Sequence, residues 1–196
     1  MVMKTYEDVT GFHGHSCPGL ALGYRVALKA MEELSIEEAS QDEEIVAIVE
    51  NDSCAVDAIQ FITGCTFGKG NLIFRDYGKH AYTFIKRTPP KVVRIYIQFG
   101  LNKERDEEKA FREKYLQGDR SPLVVEKMNE IRRKRIQEIL NAPQEEIMKV
   151  TYPKIEFPSK ARIFKSVKCE LCGEDVAEPK ARLLNGRIVC IPCSGY

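Results

Sequence analysis

The sequence predicts an α+β fold, an antiparallel or mixed sheet packed with helices, followed by a small C-terminal zinc ribbon or treble-clef-like finger. Three observations carry that prediction. Apolar residues recur at helical spacing after Pro18, short β-favouring runs follow between Ile45 and Phe99, and four cysteines close the chain as two CxxC pairs, Cys169/Cys172 and Cys190/Cys193.

The elements follow in order. After a short N-terminal segment, Pro18 suits the first turn of a helix, where its missing N–H has no partner to lose. Leu20, Tyr24, Ala27, Leu28, Met31 and Leu34 then share one helical face. Residues 45–49 read as a buried strand that ends in the polar cluster Asn51-Asp52-Ser53, and a second helix runs from Cys54 or Ala55 to Gly64. Residues 72–74, 81–85 and 92–99 are further strands; in the last, Val93, Ile95, Ile97 and Phe99 alternate with Arg94, Tyr96 and Gln98. Their closeness along the chain predicts an antiparallel meander. Helices are expected over 102–117 and 121–140, the second opened by Ser121-Pro122 and closed near Asn141-Ala142-Pro143. A short helix over 144–150 leads to an extended connector marked by Tyr152, Pro153, Phe157 and Pro158. The expected domains are a core over 1–160 and a finger over 161–196.

Length and charge bound the function. A chain of 196 residues holds one core of roughly 150 residues and a small appendage. Lys and Arg number 30 against 29 Asp and Glu, so no global field attracts nucleic acid or an anionic membrane. The one basic cluster, Arg132-Arg133-Lys134-Arg135, is interleaved with Glu130 and Glu138 and reads as a solvated helix face rather than a nucleic-acid contact. Apolar stretches fall well short of the roughly 20 residues that span a bilayer. Seven cysteines without a legible export signal predict a reducing, cytoplasmic setting, in which thiolates serve as metal ligands or reactive groups.

The tail has its own logic. Seventeen residues separate its two CxxC knuckles, a spacing that gives a closed four-thiolate zinc shell with no position left for chemistry. Two disulfides or a redox CxxC would not explain two knuckles disposed around one hairpin. That hairpin is signalled by Asn185-Gly186 between Leu183-Leu184 and Ile188-Val189. Lys168, Lys180, Arg182 and Arg187 offset the roughly −2 charge of a zinc tetrathiolate, and the same residues would serve an interaction module.

A second constellation lies near the start. Gly11 to Gly19 holds two of the three histidines, His13 and His15, together with Cys17. A cysteine just before Pro18 sits at a helix N-terminus, which favours thiolate, and the flanking glycines let both imidazoles turn toward it. Cys54 repeats the arrangement behind Asp52-Ser53. The set reads as a mixed His/Cys ion site, for zinc, nickel, iron or copper, or as a nucleophile with neighbouring general bases. A glycine-rich turn whose histidines bond backbone groups is the bland alternative. Cys65 reads as a small buried residue and His80 as structural or exposed.

Three segments carry a resemblance to a known family: GFHGHSCPGLALGYR at 11–25, NDSCAVDAIQFITGCTFGKGNL at 51–72 and RDYGKHAY at 75–82. They resemble the FmdE family, whose name comes from molybdenum formylmethanofuran dehydrogenase. The resemblance implies an α+β core, often dimeric, with a His/Cys metal or active site, and a C-terminal zinc finger in some members. It implies catalytic or ligating roles for His13 or His15, Cys17 and Cys54, with Asp52, Cys65 and Lys69 as candidates for the lining. Formylmethanofuran oxidation itself needs a pterin metal centre and iron–sulfur relays, and the chain has no ferredoxin-type run of cysteines, so a stand-alone dehydrogenase is not expected. Two function classes follow: a metal-dependent or thiol-based protein with a catalytic or redox-related core site and a structural finger, or an accessory protein that docks a larger enzyme.

Overall fold

The computed structural model describes residues 4–98 and 106–195. The chain divides into two compact units, Met1–Lys160 and Ala161–Tyr196. The first is a five-stranded mixed sheet packed with helices and the second a four-cysteine finger built on two hairpins, an α+β architecture throughout.

In the first unit, α1 (Tyr6–His13) is opened by a capping box in which the Thr5 hydroxyl accepts from Asp8 N–H while the Asp8 carboxylate accepts from Thr5 N–H. Gly14, left-handed at φ 90°, ends it. This helix occupies the N-terminal segment for which the sequence pattern predicts no element. Next, α2 (Pro18–Leu34) has Cys17 as its N-cap and buries Leu20, Ala27, Met31 and Leu34, the face read from the sequence. β1 (Ile45–Val49) is buried along its whole length, and α3 (Ala55–Thr63) starts at Cys54 and stops at Gly64. β2 (Leu72–Phe74), β3 (Ala81–Lys86) and β4 (Lys91–Ile97) follow; Phe99 of the expected strand lies outside the described residues.

The sheet order is β2-β1-β3-β4-β5, which corrects the expected meander. β1 pairs parallel with β2, Ala47 opposite Leu72, and antiparallel with β3, Val49 opposite Tyr82. The physical reason is α3, which lies between the first two strands and supplies the crossover that a parallel pair requires. β1 thereby takes an inner position with both faces covered, which its uninterrupted apolar run suits. One face carries Ala47, Val49, Tyr82, Phe84, Val93 and Ile95 into the main core beneath α2 and α3. On the other, Val46, Ile48 and Ile85 are covered by Ile155 and Phe157, so the connector is also a lid over the sheet.

Two helices complete the unit, α4 (Asp106–Leu116) and α5 (Pro122–Asn141); the first four residues of the expected range 102–117 lie outside the described residues. Arg25 of α2 closes α5, its guanidinium donating to the carbonyls of Ile139, Leu140 and Ala142 at 2.6–2.9 Å. The helix expected over 144–150 is cut to α6 (Gln144–Ile147), because Met148–Thr151 leaves it as β5 and pairs with β4, Ile95 opposite Val150. An edge position beside β4 outweighed local helical preference there. No helix among the described residues is long and apolar enough to cross a membrane.

In the second unit, β6 (Ser166–Lys168) and β7 (Asp175–Ala177) pair around the first knuckle, and β8 (Arg182–Leu184) and β9 (Arg187–Val189) pair across Asn185-Gly186, both at positive φ. Cys193 lies on the one-turn α7 (Ile191–Ser194), so of the two expected finger types the shortened treble clef is the closer description.

Candidate metal centre

The core site is assembled where α1 ends and α2 and α3 begin. Gly14 turns the chain sharply after His13, and the loop to Pro18 carries His15 and Cys17 back over the start of α3. Close packing of α2 against α3 brings the second cysteine in. Gly23 of α2 lies so near α3 that a Cβ there would stand 2.4 Å from the Ala55 carbonyl oxygen, and Cys54 immediately precedes that residue. As a result one donor atom from each of His13, His15, Cys17 and Cys54 lies within 4.8 Å of every other. Donors bound about 2.0–2.3 Å from a single ion stand roughly 3.3–3.8 Å apart, so small side-chain adjustments suffice to close the set on a metal.

The four donors are held unequally. His13 is largely buried, its side chain 11% exposed, and its Nδ1 lies 2.7 Å from Asp57 Oδ2. Gln60 donates to the other Asp57 oxygen at 3.3 Å. With Nδ1–H given to the carboxylate, Nε2 is the lone pair left over, and that atom is buried without a hydrogen-bond partner. A buried imidazole nitrogen is rarely left so; a bound ion or an ordered water completes it, and the three neighbouring donors favour an ion. His15 is exposed and its ring rests on that of His13, centroids 4.4 Å apart. Around the loop, Tyr6 shares a 2.9 Å hydrogen bond with Ser16 and donates to the Cys17 carbonyl at 3.3 Å, which fixes the chain between the two histidines and the helix.

Cys17 Sγ accepts the Leu20 N–H at 3.3 Å, as a cap should. Its thiol is nevertheless pushed up, first by burial and then by the adjacent Cys54, so the thiolate preference expected from the helix terminus is corrected: desolvation outweighs that N–H. Asp57 was missed in the sequence; its signal was a carboxylate three residues after Cys54 on the same helix. Two residues expected to line the site do not. Cys65 and Lys69 follow the other end of α3, Cys65 fully buried with its Sγ on the Ile45 carbonyl and Lys69 donating to the Ser40 carbonyl at 2.7 Å. Asp52 is exposed at the start of the turn into α3, and His80 is exposed beside β3.

The finger's four sulfurs converge equally well, Cys169, Cys172, Cys190 and Cys193 all within 4.8 Å. The Cys190 N–H donates to Cys169 Sγ at 3.3 Å, and backbone N–H groups of Cys172 and Cys190 draw the Cys169 thiol down to about 6. Cys193 is pushed up to about 12, chiefly by the Cys190 and Cys172 sulfurs beside it. Crowded thiols of this kind ionise together only when a cation shares them.

Fold and site define a class: a mixed α+β domain with a His/Cys group that can hold a metal ion, joined to a four-cysteine zinc finger. Residues 12–149 match the family described as FmdE, molybdenum formylmethanofuran dehydrogenase operon, and residues 162–195 match the prokaryotic dksA/traR C4-type zinc finger. The chain belongs to the FmdE family. It is 37% identical over 195 residues to a probable S-adenosyl-L-methionine-binding protein of Archaeoglobus fulgidus; the alignment covers 94% of this chain but only 50% of that protein, so the chain spans about half its length. The crystal structure of an FmdE-like protein from Syntrophus aciditrophicus, described by its relation to tungsten formylmethanofuran dehydrogenase, superposes with a TM-score of 0.60, covering 100% of this chain and 97% of that one. At 23% identity that likeness speaks for the fold.

Proposed function

We propose that the core is a metal-dependent binding or catalytic domain built on one ion held by His13, His15, Cys17 and Cys54, and that the finger is a structural zinc module. The observation that carries the reading is the buried, unpartnered Nε2 of His13 within a group of four converging donors. Two imidazoles and two thiolates suit zinc first, with nickel or iron as alternatives. Such an ion would supply Lewis acidity to an oxygen or nitrogen donor that takes up a position in its shell. The chain's own residues do the rest. Asp57 retains the Nδ1 proton, Tyr6 and Ser16 steady the loop, and burial of His13 shields one side of the site from water.

The test is the metal content of the full chain. Two ions per chain are expected, with Cys17→Ser losing the core ion alone and Cys172→Ser the finger ion alone. Unchanged core occupancy in Cys17→Ser would refute the core reading. The archaeal relative's name makes S-adenosyl-L-methionine the first ligand to titrate against the loaded core; saturable binding would assign that ligand to the half of the longer protein that this chain matches.

A second reading has its own support. On the finger, Leu171, Leu183, Ile188 and Ile191 are 37–76% exposed, and Leu183 and Ile188 stand opposite each other on the β8–β9 hairpin. This apolar display suits docking on a larger enzyme or on a second copy of the chain, which makes this protein an accessory component. Size determination at micromolar concentration, with Leu183→Asp as control, separates a homodimer from a monomer awaiting a different partner.

A further inference from the structure

The core site holds two histidines whose surroundings differ more than their chemistry does. His13 is walled in, its Nδ1 committed to Asp57 at 2.7 Å and that carboxylate braced by Gln60. His15 is exposed, follows the left-handed Gly14, and makes no hydrogen bond among the described residues; its ring lies tilted against that of His13, centroids 4.4 Å apart. Cys17 is tied to the start of α2 and Cys54 to the start of α3. Three donors therefore belong to rigid elements and one to a loop.

Resting on the metal reading above, we propose that His15 is a displaceable ligand, and that the position it vacates is the solvent-facing binding position of the site, taking a small uncharged donor such as water, an amine or an imidazole-type nitrogen. Releasing His13 would pull a largely buried ring away from the Asp57 carboxylate that holds it, whereas releasing His15 gives up only a tilted ring contact. That asymmetry decides which ligand leaves. Charge decides what enters: two thiolates already neutralise a divalent ion, and Asp57 adds a negative charge behind His13, so an incoming anion meets repulsion that a neutral donor does not.

The experiment uses the full chain with cobalt in the core, read by visible ligand-field and thiolate charge-transfer bands and by chelator competition. His15→Ala and the milder His15→Gln should keep one core metal per chain and lose less than about tenfold in affinity. His13→Ala should lose at least about a further tenfold, in keeping with loss of an anchored ligand and its carboxylate partner. Imidazole added to cobalt-loaded His15→Ala should shift the bands saturably, while azide at the same concentration leaves them unchanged. Equal loss of core metal in the two alanine variants, with wild type fully loaded, would overturn the displaceable-ligand assignment. Azide binding as well as imidazole would overturn the ligand class. A wild-type core that takes no metal would instead remove the function proposed above, so the two failures are told apart.

Discussion

Asp57 gives the core site no ligand, yet it determines which nitrogen of His13 is available. A neutral imidazole has one donor and one acceptor nitrogen, and the 2.7 Å contact to the carboxylate makes Nδ1 the donor. Asp57→Asn keeps the shape but loses the charge and permits the opposite polarity. Core metal affinity is expected to fall about 10–100-fold, measured by chelator competition, while the finger's affinity stays constant. Cys65 shows the opposite fate for a thiol. Burial in the core raises it to about 11 from an ordinary value of 9.0. A thiol whose folded pKa lies above its unfolded value stabilises fully below about pH 9, and that contribution is lost as pH rises toward 11. Two units correspond to roughly 2–3 kcal/mol. Urea unfolding at about pH 8 and pH 11 should therefore show a smaller alkaline loss in Cys65→Ala than in wild type. Steeper or equal loss in the variant would contradict the assignment. At this scale the density and spacing of His13, His15, Cys17 and Cys54 in the sequence pointed to the group of donors that the fold brings together. The sequence hid Asp57, because one carboxylate on a helix looks like any other until the fold brings it beside His13.

Among the elements, α2 and α3 matter most to the site, and their approach depends on one missing side chain. A Cβ at Gly23 would meet the backbone of Ala55 at 2.4–2.8 Å, and backbone cannot swing aside as a flexible side chain does. Gly23→Ala gains about 1 kcal/mol in helix propensity. Overpacking against a neighbouring helix costs about 1–3 kcal/mol or more. Backbone contact at this distance puts the cost at the upper end, so net destabilisation is expected, seen as a lower Tm. The same separation of helices draws Cys54 away from Cys17, so core metal affinity should fall with it. Finger occupancy would be untouched. The strand pairing was only half legible. Apolar runs located the strands, but α3 between the first two was the clue that they run parallel, and sequence proximity alone obscured it. β5 was hidden for a different reason: the residues from Gln144 to Val150 suit a helix locally, and only the open edge of β4 draws the last of them into a strand.

Taken whole, the molecule joins a unit that folds by burying apolar surface to one that scarcely can. The finger's interior amounts to Cys169, Val189 and Cys190, with Val176, Leu184 and Cys193 packed against them, so three of these six residues are themselves proposed ligands. So small a nucleus cannot offset the conformational entropy of ordering the tail. Chelation is expected to abolish amide protection between β6 and α7 while the sheet of the first unit keeps its own, a pattern hydrogen exchange resolves segment by segment. Persistent protection in the chelated finger would show that it does not depend on zinc. The two CxxC knuckles made this unit easy to read from sequence, since covalent spacing there does what packing does elsewhere.

The Gly23–Ala55 approach has a consequence in time as well as in space. Cys17 and Cys54 are far apart in sequence, yet the interlocked helices keep their sulfurs close before any ion arrives. Loading the core is then a bimolecular step onto a waiting receptor, first-order in metal and silent in far-UV circular dichroism. The finger has to assemble around its ion, so its rate should saturate with metal concentration at the speed of chain ordering. Stopped-flow mixing with metal, followed by thiolate absorbance and circular dichroism together, should separate a fast phase without backbone signal from a slower one that carries it.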